Sequence, residues 1–286
     1  MMNKNQRKPV ALITGASSGI GLALTRKLLS ENWEIIAMNR SDFPKDDSSL
    51  QEAVKSGRLR VYKTTDLADF KSLKATLEAV KDKEDRIDIL FNNAGGSFPA
   101  LVYSSQGREK HYELMTVVPY IILMELKGLV QNGKLRTVIN TSSSALKFTK
   151  SLTIDILEHP PTFRKLLGPY AASKLALSLW TEAIASELAE DDIKIYSIDP
   201  GGNNTLRKGK KSGLPPLVKM LMKLFFSPPA HGANKLYEGA LGEHRHPTGA
   251  FLLKGQPANL KFKDQAHPVL ERVKTIYENE YVQHHQ

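Results

Sequence analysis

The chain has 286 residues, 41% of them hydrophobic, and a formal net charge of +10. That is enough apolar material to close a large core within a single domain spanning residues 1–286. Cysteine is absent, which excludes a disulfide framework, thiolate chemistry and cysteine-based metal sites; no metal site is expected, and a reducing, cytoplasmic setting is the expectation. Residues 1–8 are polar and basic with no apolar segment behind them, so no secretory leader is read. No stretch approaches the roughly 18–20 apolar residues that a membrane span needs. The positive balance is that of a lysine-rich soluble surface, with attraction of an anionic cofactor or an anionic membrane as alternatives.

In chain order, residues 10–14 form a short apolar run of buried-strand type, followed by helical spacing over 19–30, with Ile20, Leu24 and Leu28 on one side. Strands are predicted at 34–38, 59–63 and 87–91. An amphipathic helix carried by Phe70, Leu73, Leu77 and Val80 lies between the last two. Residues 108–130 read as one long helix that Pro119 should bend or break. A fifth strand is expected at 136–140, a helix at 169–189, a sixth strand at 193–199 ended by Pro200-Gly201-Gly202, and a seventh at 250–253. Strands alternating with helices predict an α/β fold, a Rossmann-type doubly wound parallel sheet of about seven strands. Residues 144–168 and 203–229 read as insertions above the sheet, the second as a helical substrate lid.

Thr14-Gly15-Ala16-Ser17-Ser18-Gly19-Ile20-Gly21 joins the first strand to the first helix. A tight strand–helix turn needs backbone angles open to glycine and no side chain where a pyrophosphate approaches. The helix N-terminus then offers N–H groups and a partial positive charge. Glycines here are spaced G-x-x-x-G-x-G. At the end of the second strand, where an acid would hold the ribose 2′-hydroxyl of NAD, the chain has Met38-Asn39-Arg40. An arginine there accommodates a 2′-phosphate, so NADP(H) is the preferred cofactor, with NAD(H) as the alternative because Asp42 is close by.

Tyr170-Ala171-Ala172-Ser173-Lys174 opens the helix after the fifth strand. Tyrosine and lysine at i and i+4 share a helix face, and an ammonium beside a phenol lowers its pKa into the range of a general acid/base. Among nine tyrosines only Tyr170 has a lysine four residues on. Thr141-Ser142-Ser143-Ser144 ends the fifth strand, where a hydroxyl would face the binding crevice of an open α/β sheet. The other reading of these hydroxyls is a polar turn or a helix cap.

Together these residues resemble the short-chain dehydrogenase/reductase superfamily in its single-domain form, over about residues 9–205. The glycine turn matches at Gly15, Gly19 and Gly21, with Ser17, Ser18 and Ile20 between them; Asp66-Leu67 matches an adenine-contacting pair. Asn92-Asn93-Ala94-Gly95 matches the signature that braces the sheet and lies along the cofactor. The resemblance implies Ser143, Tyr170 and Lys174 as the catalytic group, Pro200-Gly201 as the turn beside the nicotinamide and Thr205 as a contact to its carboxamide. It implies hydride transfer between a nicotinamide and a carbonyl or alcohol carbon. Tyr170 would exchange the proton, Ser143 would hold the oxygen, and Lys174 would bind the nicotinamide ribose.

Two departures stand out. The family's central helix carries an asparagine that supports a water relay to the lysine; alignment on Pro119-Tyr120 puts Met115 there, with Thr116 beside it pointing elsewhere. The stretch between Ser143 and Tyr170 is also longer than is usual in the family and resembles that of retinol-dehydrogenase-like and carbonyl-reductase members. Its His159 reads as a loop residue. Further on, Leu217-Val218-Lys219-Met220-Leu221-Met222-Lys223-Leu224-Phe225-Phe226 lies between two Pro-Pro pairs and behind basic Arg207, Lys208, Lys210 and Lys211. A lid over a lipophilic small-molecule substrate, a homo-oligomer contact and an interfacial membrane helix are its three readings. No nucleic-acid recognition motif accompanies the charge. An NADP(H)-dependent carbonyl reductase or alcohol dehydrogenase is the leading expectation. A cofactor-binding regulatory or scaffold protein with weak turnover is the alternative.

Overall fold

The computed structural model describes residues 7–203, 227–242 and 246–283. Five consecutive apolar or small residues form β1 (Val10–Thr14), buried along its whole length. It passes through the glycine turn into α1 (Gly19–Ser30). There follow β2 (Glu34–Asn39), α2 (Ser48–Lys55), β3 (Leu59–Lys63), α3 (Phe70–Lys83) and β4 (Ile89–Asn92). Asp47 and Asp69 start α2 and α3 by accepting the N–H groups of Leu50 and Ser72, the usual work of an N-cap carboxylate. The sheet order is β3-β2-β1-β4-β5-β6-β7-β8. It is parallel through β5 (Thr137–Thr141), β6 (Lys194–Ile198) and β7 (Phe251–Leu253). A strand not expected from the sequence, the two-residue β8 (Gln256–Pro257), adds an antiparallel edge.

Helices cover both faces, which is why the central strands read as unbroken apolar runs. One core is sealed by α3 together with residues of the helical segments between 110 and 131, between 169 and 188 and between 266 and 281. The opposite core is sealed by α1, α2 and a helix over residues 229–241.

The long helix expected over 108–130 is three pieces: α4 (Lys110–Tyr112), a π turn (Glu113–Val117) and α5 (Val118–Gln131). Pro119 lies in the first turn of α5. Proline lacks the N–H that would continue the bonding ladder, and the change of register falls immediately ahead of it. The insertion after β5 contains a 3₁₀ turn (Ser144–Phe148) and α6 (Ile154–Glu158). The helix expected at 169–189 divides at Ile184 into α7 (Pro169–Ala183) and α8 (Ala185–Ala189). Two more helices, α9 (Pro229–Leu241) and α10 (Ala266–Ile276), complete the chain, with a π turn over Tyr277–Val282. The aromatic rings of Tyr277, Tyr120 and Trp180 meet edge to face beneath it. Residues 204–226 lie outside the described residues, and with them Thr205, the basic cluster and the 217–226 stretch. Among the described residues no helix is long and apolar enough to cross a membrane.

Candidate active site

The strand order reverses between β1 and β4, so the loops leaving their C-terminal ends diverge and open a crevice. Thr14 holds its two sides together. Its hydroxyl accepts the N–H groups of Asn93 and Ala94, both at 2.9 Å, and its carbonyl accepts the Asn93 amide at 3.0 Å. Gly15 adopts φ +69° and donates its N–H to Met38 O at 2.8 Å. Gly19 has φ +56°. Gly21 is required for a different reason: a Cβ on it would lie 2.3 Å from Gly15 O and 2.6 Å from Asn93 Nδ2. The three glycines therefore bring the backbone close around an open helix N-terminus whose first turn holds no acidic residue. Ser17, Ser18 and Ile20 lie half-buried along it.

At the end of β2, Asn39 donates to Ser41 O at 2.6 Å, while its own Oδ1 is buried and has no partner. Arg40, next along the chain, is exposed. Asp42 pairs with Lys63, whose ammonium holds the carboxylate below its usual range. Asp66 accepts Lys110 Nζ at 2.6 Å on one oxygen and the Ala68 N–H at 3.0 Å on the other; Leu67 beside it is buried. The glycine cradle, the orphaned Asn39 acceptor and the exposed guanidinium together fit a dinucleotide with its adenosine end toward β2 and its pyrophosphate at α1.

Asn92 braces the sheet from within. Its amide donates to Asn140 Oδ1 at 2.9 Å and to Pro119 O at 3.3 Å, and Asn140 in turn donates to Thr181 in α7 at 2.9 Å. This chain of bonds ties β4, β5 and α7 into one unit. Tyr170 and Lys174 occupy the first turns of α7, where Pro169 is preset for helix. Ser143 leads into the 3₁₀ turn, its hydroxyl accepting the Ala145 N–H at 3.2 Å, and it lies close enough to the Tyr170 phenol to favour its ionised form. The expected capping role and a place beside the phenol coincide in this one serine. Ser142, by contrast, bonds Ser178 at 2.8 Å inside the core.

The expected lysine–phenol electrostatics are altered. Lys174 Nζ donates to Thr141 O at 2.6 Å, and burial pushes the amine down to about 7. Burial pushes the Tyr170 phenol up, the Ser143 hydrogen bond opposes it, and the negative charge of Asp199 reinforces it. In this state the phenol is protonated, its pKa raised by burial rather than lowered as the sequence suggested.

Met115 is fully buried in the π turn. A Cβ on Gly95 would meet its Sδ at 2.8 Å and Lys174 Nζ at 3.7 Å, so thioether and amine flank the same glycine. Thr116 points to α7, donating to Ser173 O at 2.9 Å. The turn Pro200-Gly201 has φ +79° at Gly201. Asn203, unassigned from sequence, donates to Pro200 O and Gly201 O at 2.9 and 2.8 Å and accepts Gly232 N–H at 2.9 Å, fixing this turn to α9. Glu109 and His111, also unassigned, are buried, and the His111 ring packs against Tyr170. They stand in a charged stretch, Arg108-Glu109-Lys110-His111, which gave no sequence signal of burial. His159 is exposed and stacks on Tyr103.

A family model for short chain dehydrogenases matches residues 9–153. The chain belongs to the short-chain dehydrogenase family. Retinol dehydrogenase 14 of Homo sapiens is 27% identical over 240 residues, 78% of this chain and 70% of the relative. The oxidoreductase UcpA of Salmonella typhimurium is 30% identical over 197 residues, 67% of this chain and 68% of the relative. Among solved structures, the L-sorbose reductase from Gluconobacter frateurii, complexed with NADPH and L-sorbose, superposes with a TM-score of 0.62 at 22% identity, covering 91% of this chain and 100% of that one. A 4-hydroxyisoleucine dehydrogenase complexed with NADH gives 0.65 at 21%, covering 86% and 96%. These structures share the doubly wound fold of this short-chain dehydrogenase. Its family is one of oxidoreductases, of the dehydrogenase/reductase type.

Proposed function

We propose that this short-chain dehydrogenase is an NADP(H)-preferring oxidoreductase acting on a carbonyl or alcohol carbon of a lipophilic small molecule. The observation that carries the reading is the convergence of Ser143, at the end of β5, with the Tyr170 phenol, and of buried Lys174 one helical turn along α7. When bound, the nicotinamide supplies or accepts the hydride. Gly15, Ser17, Ser18, Gly19, Ile20 and Gly21 would hold the pyrophosphate, Arg40 the 2′-phosphate, Asp66 and Leu67 the adenine. Asn93, Lys174, Pro200 and Gly201 would hold the nicotinamide end. Ser143 orients the substrate oxygen by hydrogen bond, and Tyr170 gives that oxygen its proton during reduction or takes it during oxidation. Lys174 supports the charge on the phenolate that results. Neighbours of the same fold bound to NADPH and to NADH support a nicotinamide cofactor, and Arg40 supports the phosphorylated one. The 217–226 stretch is the basis for a lipophilic substrate, with membrane contact or self-association as its other uses.

Met115 favours a second reading, in which the protein binds cofactor as a regulatory or scaffold component with weak turnover. Assays with panels of ketones, aldehydes and alcohols, each with NADPH and NADH, separate the two. Reduction of an apolar carbonyl with NADPH is the expected result. Tight NADPH binding with no turnover of any panel member would establish the second reading.

A further inference from the structure

Glu109 and His111 are completely buried and have no part in the proton transfer described above. One carboxylate oxygen of Glu109 accepts the N–H groups of His111 and Tyr112 at 2.8 and 3.0 Å. The other oxygen lies 2.6 Å from His111 Nδ1. On the far side of the ring, Nε2 accepts the backbone N–H of Phe98 at 2.9 Å. An N–H donor at Phe98 requires a bare Nε2, so the ring proton sits on Nδ1, facing the carboxylate.

The same ring meets Tyr170 edge-on, with centroids 6.0 Å apart at 84°. It meets Phe98 at 4.7 Å and 60°, and lies near-parallel to Phe163 at 6.4 Å and 27°. One imidazole thus packs against the proposed proton donor and also anchors the loop that follows Asn92-Asn93-Ala94-Gly95. A helix start alone would be satisfied by the first oxygen of Glu109. The second oxygen, and the whole of the histidine, serve the loop and the tyrosine.

We propose that Glu109 and His111 are a positioning pair for Tyr170: the carboxylate fixes the histidine tautomer, and the histidine fixes the Phe98 loop and the tyrosine ring relative to one another. This rests on the reading of Tyr170 as the proton donor. The logic is specific in its chemistry. In Glu109→Gln an amide replaces a carboxylate of the same shape, leaving one oxygen where two are used. Either the helix N–H groups or Nδ1–H loses its acceptor, and a proton moved to Nε2 would face the Phe98 N–H. In His111→Gln the side chain again offers a donor toward Glu109 and an acceptor toward Phe98. In His111→Leu the volume remains and both bonds are gone.

The test uses the full-length protein and two readouts, hydrogen exchange at the Phe98 amide and steady-state kinetics on a carbonyl that the wild type reduces. His111→Leu and Glu109→Gln should exchange the Phe98 amide at least about tenfold faster than wild type. Their kcat should fall about 10- to 100-fold while KM and the NADPH dissociation constant stay within about twofold. His111→Gln should return both readouts toward wild type. Should His111→Leu fail to fold, the isosteric Glu109→Gln decides. A Phe98 amide that stays protected in the variants, or a kcat loss that His111→Gln leaves in place, would overturn the proposal. A wild type that reduces no carbonyl with either cofactor overturns the reaction reading instead, and the exchange readout alone then supports or overturns the pair.

Discussion

Lys174 donates from Nζ to the Thr141 carbonyl at 2.6 Å, so the amine is tied to the end of β5, one helical turn along α7 from the phenol of Tyr170. The bond gives a buried amine one strong acceptor and no counter-charge. Burial, which that one carbonyl bond does not offset, is the physical reason for its depressed pKa, and it gives folding a pH dependence that can be measured.

Burial lowers Lys174 from its ordinary 10.5 to about 7. Between those values the unfolded chain holds a proton that the folded chain has released, so stability should rise with pH across that window. The slope is at most about 1.4 kcal/mol per pH unit. Tyr170 acts in the opposite sense, because its pKa is raised by burial, but only above its ordinary 10.0. Urea unfolding between about pH 7 and pH 10 should therefore show a gain in wild type that Lys174→Met lacks. A gain of equal size in Lys174→Met would reject Lys174 as its source.

Tyr170→Phe removes only a hydroxyl, the one that Ser143 faces. It should lower the rate of substrate reduction by about 10²–10⁴ and leave NADPH affinity within a few-fold. Ser143→Ala should lower the rate as well and also disturb the turn it caps, through the lost 3.2 Å bond from Ala145. Stopped-flow oxidation of NADPH measures both. A Tyr170→Phe protein with wild-type rates would end the assignment of the proton donor.

Arg40 should set the cofactor preference, since Asp42 is engaged by Lys63 and Arg40, exposed, follows directly on the buried Asn39 at the end of β2. Titration should show NADPH bound at least about tenfold more tightly than NADH, about 1.4 kcal/mol. Arg40→Asp should reverse the order. Tighter binding of NADH by the wild type would contradict this assignment.

Met115 fills the space between Gly95 and the π turn, near the Lys174 amine. Met115→Asn should place an amide there, speed proton delivery and increase the solvent isotope sensitivity of turnover. Stability should fall by about 1–3 kcal/mol if the amide finds no partner. Slower turnover in a folded, NADPH-binding variant would mean that the thioether is part of the working arrangement.

Much of the scaffold was legible because its signals are periodic. β1, α1 and β3 have the predicted bounds, since unbroken apolar runs and a helical stripe belong to the residues themselves. The glycine turn was legible for the same reason, as few residues tolerate the angles of Gly15 and Gly19. The π turn before Pro119, the break at Ile184 and the C-terminal helix α10 were not, because they depend on which neighbours cover them. In the site, Tyr170 and Ser143 come together as the family resemblance implied, although the stretch between them is longer than is usual there. The turning of Lys174 toward Thr141, the capture of Asp66 by Lys110 and the Glu109–His111 pair arise from contacts between distant segments.

The hydroxyl of Thr14, which accepts two backbone amides from across the crevice, fixes the distance between the floors of its two walls during folding itself. The entropy of ordering those loops is then already spent when a ligand arrives, and the affinity gained at this end of the crevice is not discounted for closing it. Thr14→Val, which keeps the shape and deletes the acceptor, would shift that ordering from the folding step to the binding step. The loss would show as a less favourable entropy of association, with the same ligand contacts retained.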